Sequence, residues 1–381
     1  MDSLTQIALG AACGEAVAGW RVGGRAALWG GVAGTLPDLD ILAYPFLDPM
    51  GELYFHRGLT HGLLFGFVAG PFLGWLLARF YRWRLGRAGP QAGEALHAAT
   101  SWRLWAAVSV VALVTHPLID ALTIYGTQLF QPFSNTPVSV GSLFIIDPLY
   151  TTWLVLGVGI AVALRRDHPW RRRIVVVGLA LSTAYAGWSL AAHAWARAAV
   201  GDVANAQHAD GGRRLVAALP FTTLAWNVLV EVPPGRALHP GATLDGADDE
   251  TVFVAQTYAL ADEPGTLDLT QGLVIPQRAD LLAPAEGSRA LETLRWFSQG
   301  WYAAEQRGDR LLVHDLRFGR IGGTATDAEA PFVFTFWLYQ DAAGAWTFEQ
   351  QPPDLGSLDA EAFRRLWGRI QGRTGASAQA P

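Results

Sequence analysis

A single cysteine, Cys13, excludes an intramolecular disulfide framework and any cysteine-based zinc site. Charge is also scarce: Asp, Glu, Lys and Arg make up 16% of the 381 residues, hydrophobic residues make up 51%, and the mean hydropathy is positive. That is too apolar for an ordinary soluble enzyme of this length, and membrane insertion is the first expectation. Positive charge is not in excess, the net charge being −5, so the chain lacks the electrostatic footprint of nucleic-acid binding. Arginines cluster only locally, at 79–87 and 165–173, beside apolar runs where they set topology. A cleavable signal peptide is not expected, because the start is acidic at Asp2 and the following segment carries Glu15.

What the chain does have is uneven apolarity. Long apolar runs fill residues 1–200, whereas most acidic residues and turn formers follow, so two domains are expected with a boundary near Gly201. Apolar segments lie near 4–20, 26–44, 59–82, 102–124, 143–164 and 174–197, six candidates against the ~20 residues needed to cross a bilayer. The first is short, rich in Gly and Ala and interrupted by Glu15, and its small residues would permit close helix contact. Arg21 and Arg25, Arg79 to Arg103, and Arg165 to Arg173 occupy alternate connections, which the positive-inside rule makes cytoplasmic. The N-terminus and everything after residue 197 would then be outside.

Beyond Gly201 the pattern alternates. Residues 222–232, 251–258 and 332–339 read as strands, and 288–306 as a helix capped by Ser288. The expected fold is therefore a mainly α polytopic membrane bundle of about six helices (1–200), followed by a small extracytoplasmic α+β domain (201–371) and a flexible tail (372–381).

Set into the apolar half are five polar clusters: Asp2 to Gln6, Pro37 to Asp40, His56 to His61, His116 to Asp120, and Asp147 with Pro148. Groups this costly to bury in a membrane usually serve a function, and histidine with carboxylate is a ligand set for zinc and similar metals. On the arginine-derived topology all five lie toward the outer leaflet. His116 and Asp120, four apart, share one helical face. Asp38 and Asp40 diverge on a strand or an α-helix, so a turn after Pro37 would have to bring both in, or one would support the other. A lone buried histidine is as often a packed, hydrogen-bonded core group. Three carboxylates beside the histidines favour a metal over ion pairing with Arg57, whose guanidinium could alternatively hold a substrate phosphate. Glu15 reads as a packing hydrogen-bonder or a supporting group. Tyr125 and Gln128 could line the site mouth, and histidines 97, 168, 193, 208, 239 and 314 read as structural or exposed.

In their order, Asp2-Ser-Leu-Thr5, Pro37-Asp-Leu-Asp40, His56-Arg-Gly-Leu-Thr-His61 and Thr115-His-Pro-Leu-Ile-Asp-Ala-Leu-Thr123 resemble the YdjM-like family of inner-membrane, metal-dependent hydrolases, over roughly residues 1–150. The resemblance implies a helical core similar to that of zinc-dependent phospholipases C. It carries ligand roles to Asp38, His56, His61, His116 and Asp120, with Asp40 as ligand or base. Many members have histidine where this chain has Gln6, so Gln6 through its carbonyl oxygen, or Asp2, could complete the set, with Glu15 and Asp147 as further candidates. The expected activity is hydrolysis of a lipid-borne phosphoester by zinc or manganese, with Arg57 holding substrate and membrane lipids as partners. The rivals are an ion or proton pathway lined by buried His and Asp, and a membrane-anchored interaction protein.

Overall fold

The computed structural model describes residues 1–88, 93–207, 212–235, 250–263, 267–321, 326, 328–352 and 360–372. His208, His239 and the tail beyond 372 lie outside the described residues. Two compact units emerge, one of residues 1–46 and 54–189, the other of 47–53 and 190–381. The division falls inside a helix, at Ser189, rather than near Gly201.

The chain up to Ala206 is helical, with most of these helices in the first unit. Helices α1 (Ser3–Val22), α2 (Arg25–Thr35), α3 (Pro49–Phe55), α4 (Leu63–Ala88), α5 (Glu94–Ala98), α6 (Trp102–Asp120), α7 (Pro148–Ala163) and α8 (Trp170–Ala206) follow in order, with 3₁₀ segments at Pro37–Phe46 and Leu59–His61. Only three helices among the described residues are long and apolar enough to cross a membrane, Leu63–Arg87, Trp102–Asp120 and Trp170–Ala206, with α7 a shorter apolar helix. The described helices thus support three candidate spans, and the expected count of about six is not confirmed. The second apolar run breaks at Pro37, where the backbone tightens into a 3₁₀ helix, and α2 has 11 residues, too few to span.

Small residues explain how the short helices pack. A Cβ on Gly10 would lie 2.3 Å from the carbonyl oxygen of Gly30, and one on Gly30 would lie 2.2 Å from that of Gly10, so α1 and α2 touch backbone to backbone. On α4 the buried stripe is Gly66, Gly70, Gly74, Ala78 and Tyr81, and a Cβ on Gly74 would meet the Ala106 backbone nitrogen of α6 at 2.3 Å. The opposite face of α4 exposes large apolar side chains, Val68 at 65% and Phe72 at 59%, as a lipid-facing helix does.

The second unit holds two antiparallel four-stranded sheets. One contains β1 (Arg214–Ala218), β2 (Ala225–Val232), β3 (Val252–Ala259) and β4 (Leu273–Pro276), and the other β5 (Tyr302–Arg307), β6 (Arg310–Arg320), β7 (Phe332–Gln340) and β8 (Trp346–Gln351). Ala192, Ala196, Val200 and Ala204, one stripe of α8, pack with Val216, Trp226 and Val228 of the first sheet in one core. His193 of the same helix meets the carbonyl of Val216. Helix α9 (Arg289–Phe297) starts where expected, the Ser288 hydroxyl accepting from the Leu291 amide. It stops nine residues short of the expected end, because Gln299 and Gly300 both adopt left-handed conformations and the chain after them pairs with β6. Helix α10 (Ala360–Ile370) follows the second sheet, and its Arg369 is paired with Asp262.

His314 on β6 is buried between Glu305 Oε2 at 3.1 Å and Thr335 Oγ1 at 2.9 Å. Burial pushes its imidazole down to about 4; Glu305 opposes that shift, and Arg307 and Arg320 add to it. Below the ordinary value of 6.5 the unfolded chain takes up a proton that the folded chain refuses. This side chain therefore contributes stability above pH 6.5 that is lost as pH falls through about 4, on the order of 3 kcal/mol at the acid end. In His314→Gln, melting temperatures of the full chain should fall less steeply between pH 7 and pH 4.5, roughly the window of that titration. An unchanged slope would contradict the assignment.

Candidate metal centre

Four side chains from three elements converge inside the first unit: Asp38 from the 3₁₀ segment Pro37–Phe46, His61 from the 3₁₀ segment Leu59–His61, and His116 and Asp120 from the last turns of α6. One ligand atom from each lies within 4.8 Å of the others, and all but Asp38 are fully buried. The two imidazole Nε2 atoms face each other at 3.1 Å. Asp38 Oδ1 lies 3.4 Å from each, and Asp120 Oδ2 lies 3.5 Å from each. Tetrahedral coordination with bonds near 2.0–2.1 Å requires donor atoms ~3.3–3.4 Å apart, and the five spacings that involve an imidazole nitrogen, 3.1 to 3.5 Å, come close to it.

Local structure explains the convergence. A 3₁₀ helix has about 3.0 residues per turn, so Asp38 and Asp40 point roughly 120° apart. Asp38 reaches the two imidazoles, while Asp40 sits behind them. Its Oδ1 is 3.1 Å from His56 Nδ1, its Oδ2 accepts the Arg57 amide at 2.9 Å, and Oδ2 is 3.7 Å from His61 Nδ1. His116 Nδ1 lies 2.6 Å from the Gly34 carbonyl, to which it donates, leaving the Nε2 lone pair toward the cluster. That carbonyl is within reach because α2 packs so closely on α1. The sequence reading missed it, although the glycines at 10, 14, 30 and 34 are the signal.

Asp120 is held on one oxygen and bare on the other. Its Oδ1 accepts from Gln6 Nε2 at 2.8 Å and from the Met1 backbone nitrogen. Its Oδ2 is buried with no hydrogen-bond donor, and Gln6 Oε1 is likewise unpartnered. Arg57 approaches Oδ2 with Nε at 3.6 Å without forming a hydrogen bond. Its guanidinium is instead 4.5 Å from the Tyr125 ring centroid, with Nη1 donating to Thr123 Oγ1 at 3.3 Å. Arg57 takes a left-handed backbone conformation, φ 54°, strain of the kind found at functional sites. Without a cation the two imidazoles can share one proton across their gap. A divalent cation would engage both lone pairs and both carboxylate oxygens at once, so the donors present fit the group.

The remaining sequence candidates are placed elsewhere. His56 and Asp40 lie outside the four-atom group, and His56 is partly exposed with its ring 5.4 Å from that of Tyr125. Gln128 braces the segment by donating to the Tyr54 carbonyl at 2.8 Å. Asp2 caps α1, accepting from the Thr5 amide and hydroxyl. Asp147 caps α7, accepting from the Leu149 and Tyr150 amides and from the Tyr185 hydroxyl. Glu15 is nine residues beyond Gln6 on α1, roughly 13 Å along the axis, and is locked in a buried bidentate pair with Arg171 at 2.5 and 3.1 Å.

Three helices long and apolar enough to cross a bilayer, together with a buried His–Asp group that could hold a metal ion, are the features of a membrane protein with a polar centre. The chain belongs to the family described as YdjM inner membrane protein, whose model matches residues 1–196, just over half of its length. It is also similar to the inner membrane protein YbcI of Escherichia coli (strain K12), 26% identical over 147 residues that cover 38% of this chain and 69% of that protein. No solved structure matches it.

The Glu15–Arg171 pair makes its own prediction. Glu15→Ala leaves a buried guanidinium without its carboxylate and should cost about 3–5 kcal/mol, whereas Glu15→Met with Arg171→Leu should recover most of it. Thermal unfolding in detergent measures both. A harmless single variant would contradict the pairing.

Proposed function

We propose that this protein is a metal-dependent hydrolase of the inner membrane that cleaves a phosphoester on a lipid or lipid-linked substrate near the outer leaflet. The observation that carries the reading is the pair of opposed imidazole nitrogens at 3.1 Å, flanked by two carboxylate oxygens of which one, Asp120 Oδ2, has no donor. Asp38, His61, His116 and Asp120 would hold the ion, zinc or manganese by their ligand chemistry. Such a cation supplies acidification of a water and polarisation of a phosphoryl oxygen.

The chain's own residues do the rest. The Gly34 carbonyl fixes the His116 tautomer, and Asp40 steadies His61, His56 and the Arg57 amide together. Arg57, propped on Tyr125 and Thr123, presents a guanidinium beside the cluster, suited to a phosphate oxygen. His56 stands at the partly exposed edge, within reach of an entering substrate. The 3₁₀ segment that supplies Asp38 also exposes Leu42 at 67% and Phe46 at 87%, an apolar surface that favours a substrate with acyl chains. Arginine placement supports an outer-leaflet site and an extracytoplasmic second unit. An ion pathway has less support, because Glu15, the one carboxylate within α1, is committed to Arg171.

Full-length protein in detergent, loaded with zinc or manganese, should hydrolyse bis(p-nitrophenyl) phosphate or phospholipid in mixed micelles. His116→Ala should abolish turnover, and Arg57→Gln should lower kcat/KM by roughly 10²-fold or more. No turnover in the loaded wild type, or turnover kept by His116→Ala, would contradict the proposal.

A further inference from the structure

The last three turns of α4 carry a feature that the metal centre does not use. A shallow cleft of about 630 Å³ opens over Arg79, Phe80, Arg82 and Trp83. Tyr81, on the other side of the helix, is buried, stacked on Trp105 at 5.4 Å and accepting from Trp29 Nε1 at 2.8 Å. That anchor fixes the rotation of α4, so Arg79 and Trp83, two residues either side of Tyr81, are turned away from the bundle. Both are exposed, as are Arg82, Arg84 and Arg87.

None of these four arginines is paired with a carboxylate among the described residues, in contrast to Arg171, Arg295 and Arg369. Arg87 instead lies 3.9 Å over the Trp83 ring. The chain contains no lysine, so every cationic side chain here is a planar guanidinium that can fork onto a phosphate. One to two turns earlier on the same face, Phe72 and Trp75 stack at 6.1 Å and are exposed. The stripe therefore runs from apolar aromatics to unpaired guanidinium groups within one helix, matching the order of acyl chain and phosphate in a phospholipid.

We propose that this face of α4 is a binding site for an anionic phospholipid, with Arg79 and Arg82 holding the phosphate and Phe72, Trp75 and Trp83 lying along the acyl chains. Positive charge at a helix C-terminus is also favoured by the helix dipole. That preference explains Arg87 in the last turn but not the cleft, nor the aromatic stripe leading to it. The site is independent of the metal centre, and its test does not involve hydrolysis.

Native mass spectrometry of the detergent-purified full chain, titrated with phosphatidylglycerol or phosphatidylcholine, reads it directly. Wild type should retain phosphatidylglycerol at least 5-fold more tightly than phosphatidylcholine, a gap of about 1 kcal/mol. Arg79→Gln with Arg82→Gln should erase that preference, whereas Arg172→Gln with Arg173→Gln, an equal loss of charge elsewhere, should keep it. Equal retention of the two lipids by wild type, a preference surviving in the first double variant, or its loss in both double variants would overturn the proposal.

Discussion

Two imidazoles whose Nε2 atoms face each other at 3.1 Å inside a helical bundle, with carboxylates closing both sides, form a pocket of donor atoms that a cation could occupy. Buried lone pairs need a hydrogen-bond donor or a metal, and buried anions need a counter-charge as well. Around the cluster, three aspartates at 38, 40 and 120 stand against the guanidinium of Arg57 and the Met1 nitrogen. Much of the first unit's architecture serves to hold this arrangement in place. Helices α1 and α2 approach to backbone contact, and that approach delivers both the Gln6 amide to Asp120 and the Gly34 carbonyl to His116. Helix α6 ends at Asp120, placing its ligand pair at the rim of the bundle rather than at mid-span.

The buried charges divide into two kinds. Glu15 and Arg171 satisfy each other completely, an ion pair that holds α1 to α8. Asp120 and the imidazoles do not, because an acceptor oxygen and two ring nitrogens point into one small volume. A structural cluster has no need to leave an acceptor bare, since a nearby hydroxyl or amide would satisfy it. The two clusters within one unit therefore differ in kind: one is self-satisfied, the other has donor atoms to spare for a ligand.

Much of this is readable in the amino-acid sequence, and the rest is unreadable for physical reasons. The four-residue spacing of His116 and Asp120 needs only helical geometry. Alternation and aromatic content mark β2, β3 and β7 to within a few residues. The 3₁₀ geometry after Pro37 leaves no periodic signal in so short a stretch, so the division of labour between Asp38 and Asp40 emerges only in three dimensions. Hydropathy counts apolar residues wherever they go, and α2, an 11-residue helix, is apolar where it packs glycine against glycine on α1. His56, beside the left-handed turn at Arg57, falls outside the four-atom group, its ring standing edge-on to Tyr125 at 5.4 Å and to His61 at 6.2 Å. No residue type in His56-Arg-Gly announces that turn on its own.

The central claim is that Asp38, His61, His116 and Asp120 hold one divalent ion, with His56 outside the ligand set. Elemental mass spectrometry of matched detergent preparations, reconstituted with zinc or manganese and freed of excess metal, tests it most directly. The account predicts stoichiometric metal in wild type and in His56→Ala, and its loss in His61→Ala and Asp120→Ala. Metal no higher than background in well-folded wild type, or retained in full by both ligand variants, would contradict it.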